Sequence, residues 1–139
     1  MLWNAQSVNN KIGKLIQILE DNNINICCIC ESWLQSQNNP ITSYIKEAGY
    51  KIHHSNRTEK KGGGVAIISK SEYKQKCSRS FSYSSFECVL QTLRTDNSSV
   101  NLTMIVVYRL GSVPSYIFME EFYEFVEYIK LNFKYLSNA

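Results

Sequence analysis

A short apolar run followed directly by a carboxylate constrains this chain more than any other feature. Residues 24–30 read Ile-Asn-Ile-Cys-Cys-Ile-Cys, and Glu31 comes next. Runs of this length are typical of strands buried on both faces, which occur in sheets covered by helices. Ligand sites in such sheets lie beyond the carboxyl ends of the strands. Glu31 is therefore either a site residue at a strand end or a solvated carboxylate that caps the following turn.

The preceding sequence predicts a strand-helix-strand unit. A first strand ends at Asn4, and Asn9 or Asn10 can cap a helix over residues 11–22. The apolar residues of this helix recur at the spacing of one helical face: Ile12, Leu15, Ile16 and Leu19. Two strands joined by such a helix form a parallel pair with a crossover connection.

The rest of the chain alternates between helix and strand patterns. We expect a short helix over residues 42–48 and a final helix that Ser115 caps. The predicted strands cover residues 50–54, 65–69, 86–93 and 100–108, and the last two form a hairpin. The core face of the final helix should carry Phe118, Phe122, Phe125, Val126, Ile129 and Phe133. These patterns predict one α/β domain over residues 1–139, with mixed strand directions.

Charge and cysteine content restrict the class of protein. Residues 51–79 hold eight Lys or Arg against two Glu, a local excess of 8 − 2 = +6, although the whole chain carries only +3. This stretch faces phosphate or is a solvated basic loop. Five cysteines, three of them crowded in the apolar run, predict reduced thiols in an intracellular protein. No apolar run is long enough to cross a bilayer, so we expect no membrane partner.

Several short strings together resemble a known family. They resemble the amino-terminal half of the endonuclease/exonuclease/phosphatase superfamily, and specifically the apurinic-type endonuclease domain of non-LTR (LINE-type) retrotransposons. The strings that carry the resemblance are Trp3-Asn4-Ala5-Gln6-Ser7, Ile29-Cys30-Glu31-Ser32-Trp33-Leu34, Gly49-Tyr50, Gly62-Gly63-Gly64-Val65-Ala66-Ile67, Phe86-Glu87 and Tyr108-Arg109. The resemblance implies a four-layered α/β sandwich, mixed β-sheets flanked by helices, which is incomplete at the carboxyl end of this chain.

The resemblance also implies roles for individual residues. Glu31 would hold a divalent metal, Mg²⁺ or Mn²⁺, for which a carboxylate is a suitable hard ligand. Asn4 would hold the scissile phosphate, and Tyr108 would donate to a phosphate oxygen. These three are the expected catalytic residues. Arg109 would add a charge-assisted phosphate contact, and the basic stretch would add DNA-backbone contacts from Arg57, Lys60 and Lys61.

The sequence departs from the family pattern in two places. Leu110-Gly111-Ser112-Val113 intervenes before Pro114, where relatives carry proline directly. The family places its Asp-x-Asn and Ser-Asp-His motifs farther along the sequence than residue 139, and we expect His53 and His54 to be surface or sheet residues rather than the general base. The resemblance then implies a fragment that lacks activity by itself.

The function that the resemblance implies is metal-dependent nicking of target DNA for retrotransposition. The expected partners are DNA and a reverse transcriptase in the same polyprotein, and the expected location is intracellular, in the nucleus when the domain acts on DNA. Two alternatives remain open at this point. One is a phosphatase or sphingomyelinase-like hydrolase of the same superfamily, and the other is a non-catalytic module that binds nucleic acid or a protein through the basic stretch.

Overall fold

Two stacked β-sheets with helices on both outer faces make up the structure. The computed structural model describes residues 1–35, 40–55 and 63–133. The elements follow one another in the order β1 (Leu2–Asn4), α1 (Ile12–Asp21), β2 (Ile26–Cys30), α2 (Pro40–Glu47), β3 (Tyr50–His54), β4 (Val65–Lys70), β5 (Lys74–Ser82), β6 (Phe86–Arg94), β7 (Leu102–Arg109) and α3 (Ser115–Phe133). None of these three helices is long and apolar enough to cross a membrane.

The first sheet, sheet I, has the strand order β1-β2-β4-β3. β1 is parallel to β2, and β4 is antiparallel to both β2 and β3. Asn4 lies opposite Cys30, and Cys30 lies opposite Val65. The carboxyl ends of β1, β2 and β3 therefore share one rim of the sheet with the amino end of β4. This rim is called the upper rim below.

The second sheet, sheet II, has the strand order β5-β6-β7 and is wholly antiparallel. The hairpin of β6 and β7 confirms the pairing that the sequence predicts. Its register places Glu87 directly opposite Tyr108, so both side chains point to the same face of sheet II. This pair lies at the end of the hairpin where β6 begins and β7 ends.

Three apolar layers hold these elements together. One lies between sheet I and the helices α1 and α2, and it includes Leu15, Leu19, Cys27, Ile29 and Ile45. The second lies between the two sheets and includes Cys28, Val65, Ile67, Val89 and Val106. The third lies between sheet II and α3 and centres on Phe86, Cys88 and Phe125. The order helix, sheet, sheet, helix confirms the predicted four-layered α/β sandwich.

The apolar run of β2 serves two of these layers at once. Cys27 and Ile29 face the helices, whereas Cys28 and Cys30 face sheet II, as the alternation of a strand requires. This explains why almost every residue of the run is apolar. Burial raises the pKa of the Cys27 thiol to about 11, so the thiol stays protonated at neutral pH.

Most predicted elements are confirmed within a few residues, but three details are wrong. The residue before α1 is Lys11, with no side-chain cap, so the predicted caps Asn9 and Asn10 do not act. Strand β5 was not predicted, because its sequence is polar and it pairs only with β6 at the edge of sheet II. On α3, the predicted core residues Phe118, Phe122, Phe125 and Ile129 join the aromatic cluster against sheet II. Val126 and Phe133 are half-buried and do not belong to it.

Several described residues of the basic stretch lie at the end of sheet I opposite the upper rim or contact other groups of the protein. Lys51 and Lys70 lie at the end of sheet I opposite the upper rim, and the Lys74 ammonium pairs with Asp96 at 2.7 Å. The Arg79 guanidinium lies 5.7 Å from the ring centroid of Phe133. The predicted DNA contacts Arg57, Lys60 and Lys61 fall in residues 56–62, outside the described residues, and stay predictions.

We expect Phe125→Ala to lower the free energy of unfolding by about 3–5 kcal/mol, because a buried aromatic side chain would leave a cavity. Phe125 is 2% exposed, and its ring packs against Phe81, Tyr83 and Phe86. Tyr123→Ala on the same helix removes a ring that is 68% exposed and should change the free energy by less than about 0.5 kcal/mol. Urea unfolding of both variants measures the difference, and equal losses would contradict the aromatic layer.

Candidate active site

The central contact of the site joins the two sheets. The Tyr108 hydroxyl, at the end of β7, donates a 2.6 Å hydrogen bond to Oε1 of Glu31, which follows β2. The two residues are 77 positions apart in sequence, and the contact is partly buried. A hydrogen bond to a carboxylate is shorter and stronger than one between neutral groups. The structure thus brings together two of the three residues that were expected to be catalytic.

The backbone of Glu31 has an unusual conformation that its surroundings impose. Glu31 has φ of 55° and Trp33 has φ of 58°, and Gln6 and Ser7, which follow β1, have φ of 47° and 85°. Left-handed backbone costs a non-glycine residue on the order of 1–3 kcal/mol and persists only where other contacts hold it. Four such residues therefore lie together beyond the upper rim of sheet I, where the site is.

Backbone hydrogen bonds continue past the ends of the strands and hold these loops. The amide of Ser7 donates to the carbonyl of Glu31 at 2.8 Å, and the amide of Val8 donates to the carbonyl of Ser32 at 3.1 Å. On the other side, the amide of Ser32 donates to the carbonyl of Gly64 at 3.1 Å. The main chain around Glu31 is therefore held from both neighbouring strands, which compensates for its strained φ.

Gly64 is where the loop before β4 meets the loop after β2. It has φ of +84°, and a Cβ built on it would lie 2.8 Å from Oγ of Ser32, which is fully buried. Its amide donates a 2.7 Å hydrogen bond to Oε2 of Glu87, on β6. Only glycine combines this conformation with this close approach. The sequence prediction used Gly64 and Glu87 as marks of the resemblance and gave neither a role.

Asn4 lies at the same rim as Glu31. It ends β1 opposite Cys30, the residue before Glu31, and the amide of Ala5 donates to the Cys30 carbonyl at 2.9 Å. The Asn4 side chain is exposed and borders a groove of about 490 Å³ that Trp3 and Lys11 also line. Asn4 thus lies at the same rim as the contact between Glu31 and Tyr108, while the roles of all three in chemistry stay predictions.

Arg109 is exposed but already makes contacts within the protein. Its guanidinium donates to the Val113 carbonyl at 3.3 Å and to the Ser115 hydroxyl at 3.0 Å, and it lies 5.4 Å from the ring centroid of Phe118. These contacts attach the loop after β7 to the start of α3. The predicted phosphate contact of Arg109 stays a prediction, and phosphate would compete with these partners.

Both histidines lie in strand β3, as sheet residues, which is one of the two placements that the sequence predicted. His54 ends β3 at the upper rim and is 1% exposed. His53 is half-buried, with Nε2 3.4 Å from the Arg79 carbonyl. Burial lowers the pKa of both imidazoles, although hydrogen bonds to backbone carbonyls partly oppose the shift.

Glu31 fits the way in which proteins hold Mg²⁺. Among the described residues, no group of three or more His, Cys, Asp or Glu is placed to hold a metal ion. Mg²⁺ is commonly bound by one or two carboxylates, with water and substrate phosphate as its other ligands. A half-buried carboxylate with one oxygen hydrogen-bonded to Tyr108, next to the exposed Asn4, matches this mode.

Comparison with known proteins assigns the family. Residues 1–128 match the Endonuclease/Exonuclease/phosphatase family. The chain belongs to this family. The match confirms the superfamily that the sequence strings indicate, and members of this family include nucleases and phosphatases. No curated protein matches the chain.

Solved structures with the same fold include several nucleic-acid enzymes. A humanized TDP2 from D. rerio has a TM-score of 0.65 and 14% identity, over 93% of this chain and 54% of that chain. The 3′ phosphatase NExo from Neisseria, bound to a product DNA hairpin, has a TM-score of 0.57 and 20% identity, over 73% of this chain and 38% of that chain. An AP endonuclease from Archaeoglobus fulgidus has a TM-score of 0.52 with the same identity and coverage. The chain therefore spans about 38% to 54% of the length of these three structures.

We expect Gly64→Ala to destabilise the fold by roughly 1–3 kcal/mol, because alanine disfavours the positive φ and its Cβ would collide with Ser32. Gly111→Ala is the matched control, because nothing lies within 4 Å of a Cβ at that position. Alanine there should be neutral or slightly stabilising. Thermal unfolding of the two variants tests the expectation, which fails if both behave alike.

Stability should fall as pH drops below the ordinary histidine pKa of about 6.5. Burial lowers the pKa of His53 and His54 in the folded protein, so the unfolded chain binds more protons below that pH. The contribution of the two neutral histidines to the free energy of unfolding is fully present above pH 6.5. It is lost progressively as pH falls towards their lowered pKa values in the folded protein. Urea midpoints between about pH 7.5 and 5 measure the slope, and a double variant with glutamine at both positions should flatten it.

Proposed function

We propose that this chain carries the metal-binding side of a Mg²⁺-dependent DNA endonuclease site of the LINE retrotransposon type. The observation that carries the proposal is the hydrogen bond between Tyr108 and Glu31 at the upper rim, next to Asn4. Residue patterns alone give no reason for Tyr108 of one sheet to contact Glu31 of the other. A site for one metal ion and one phosphate provides such a reason.

Each residue has a part in this proposal that suits its chemistry. Glu31 would hold Mg²⁺, or Mn²⁺, through its carboxylate. Tyr108 orients this carboxylate with its single hydroxyl proton, and a phosphate oxygen would compete with Glu31 for that proton. The side-chain N–H of Asn4 donates a hydrogen bond to the same phosphate, and the neutral amide adds no negative charge beside it. When bound, the metal supplies positive charge that stabilises the negative charge that develops on the phosphate.

DNA is the proposed substrate class. TDP2 from D. rerio and NExo from Neisseria, which share the fold, have been solved with product DNA. The strings Trp3-Asn4-Ala5-Gln6-Ser7 and Gly62-Gly63-Gly64-Val65-Ala66-Ile67 favour the retrotransposon branch of the family. The proposal then includes a reverse transcriptase in the same polyprotein and action in the nucleus, with residues 1–139 as part of one endonuclease domain.

We expect Glu31→Gln to weaken Mn²⁺ binding at least tenfold, because an amide replaces the charged oxygen ligand. Titration followed by electron paramagnetic resonance measures free Mn²⁺ directly. Glu47→Gln, an exposed glutamate at the end of α2, is the matched control and should bind Mn²⁺ like the unchanged protein. Equal affinities for the Glu31→Gln and unchanged proteins, or no binding by either, would refute the metal site.

DNA binding with Mn²⁺ present separates the proposed function from its alternatives. An endonuclease site should bind an internal phosphodiester and should lose affinity in Asn4→Ala and Tyr108→Phe. Preference for oligonucleotides with a terminal phosphate would favour the phosphatase alternative. Binding that both substitutions leave unchanged, and that only salt weakens, would favour the non-catalytic module.

A further inference from the structure

We propose that Glu87 is a positioning residue of this site, which sets the orientation of Glu31 without contacting metal or substrate. The inference rests on the proposed function of Glu31 as the metal ligand. Glu87 lies on β6, in the other sheet from Glu31, and it is 6% exposed. A charged residue that is buried in a strand needs a compensating interaction.

The carboxylate of Glu87 crosses from sheet II to sheet I. Along β6, Val89 lies in the apolar layer between the sheets, so Glu87, two residues away, points to the same layer. Its Oε2 accepts the hydrogen bond of the Gly64 amide at 2.7 Å, within the buried interior. A hydrogen bond to a charged acceptor is about twice as strong as a neutral one. Glu87 therefore fixes the peptide that precedes β4.

From Gly64 the constraint passes to the loop that carries Glu31. The Gly64 carbonyl accepts from the Ser32 amide at 3.1 Å, and the Gly63 carbonyl accepts from the Trp33 amide at 2.9 Å. The missing side chain of Gly64 leaves the space that Ser32 fills. A shift of Gly64 would therefore displace Ser32 and Trp33, the two residues after Glu31. Glu31 has a φ of 55°, and a conformation of this kind persists only where neighbouring contacts hold it.

These contacts close a ring through both sheets. Glu87 lies opposite Tyr108 in the pairing of β6 with β7, and Tyr108 donates to Glu31. Starting from Glu31, the ring passes through Ser32, Gly64, Glu87 and Tyr108 and returns to Glu31. Two hydrogen bonds between the sheets thus fix the backbone and the side chain of the candidate metal ligand.

Gln91 is the natural control for this role. It is on the same strand four residues later, so its side chain faces the same layer, and it is 1% exposed. Its side-chain oxygen has no hydrogen-bond partner among the described residues. Gln91 is thus a buried polar residue of β6 without a link to the upper rim, and replacing it perturbs the core alone.

The test compares Glu87→Ala, Glu87→Gln and Glu87→Asp with Gln91→Ala. Glutamine has the same length as glutamate and keeps an acceptor oxygen. Aspartate keeps the charge, but its side chain is one methylene shorter and its acceptor oxygens lie farther from the Gly64 amide. We expect Glu87→Ala and Glu87→Asp to weaken Mn²⁺ binding about 10- to 100-fold, the usual effect of losing a residue that orients a metal ligand. Glu87→Gln should stay within a few-fold of the unchanged protein, and Gln91→Ala should bind Mn²⁺ normally.

A second measurement does not depend on metal. Amide hydrogen exchange followed by nuclear magnetic resonance should be faster at Ser32 and Trp33 in Glu87→Ala and Glu87→Asp than in Glu87→Gln and Gln91→Ala. If Glu87→Ala does not fold, the contrast between aspartate and glutamine decides the question. If the unchanged protein binds no Mn²⁺, the proposed function fails, and exchange at Ser32 and Trp33 still decides whether Glu87 positions the loop. The inference is overturned if Glu87→Ala and Glu87→Asp match Gln91→Ala in exchange at Ser32 and Trp33.

Discussion

The face-to-face packing of the two sheets is the interaction on which the rest of the structure depends. Small and β-branched residues fill this layer, including Cys28, Val65, Val89 and Val106. Their modest size lets β7 approach β2 closely enough for Tyr108 to reach Glu31. The same packing lets Glu87 reach Gly64. Polar groups at the upper rim therefore depend on apolar packing below them, and the hydrophobic effect supplies most of the energy that holds the site in place.

The sequence predicts the elements that carry a strong pattern. β2 was found because its run of apolar residues serves two layers, and α1 was found because its apolar residues share one face. β5 was missed because an edge strand with one partner buries too little surface to need an apolar pattern. Asn9 and Asn10 do not cap α1, although their residue types favour capping. Backbone hydrogen bonds with the loop after β2 hold the loop in which they lie, and a sequence pattern does not show such contacts.

The candidate site was predictable only in part. Asn4 and Glu31 follow from residue patterns, because both end neighbouring parallel strands, but the meeting of Tyr108 with Glu31 followed only from the family resemblance. The positive φ of Glu31 has no local signal, because contacts with other strands impose it on a residue that disfavours it. Glu87 did leave a signal, a charged residue between Phe86 and the apolar residues 88–90, which indicates a buried polar contact but does not identify its partner.

A site that straddles two sheets couples ligand binding to the stability of the whole molecule. Glu31 belongs to one sheet and Tyr108 to the other, so unfolding of either sheet destroys the site. A ligand that needs both residues binds only the assembled sandwich, and it adds stability of RT ln(1 + [L]/Kd) to every element at once. At a ligand concentration of about 100 times Kd this amounts to roughly 2.7 kcal/mol. The placement of one hydrogen bond thus makes the concentration of a ligand a determinant of how stable the whole folded protein is.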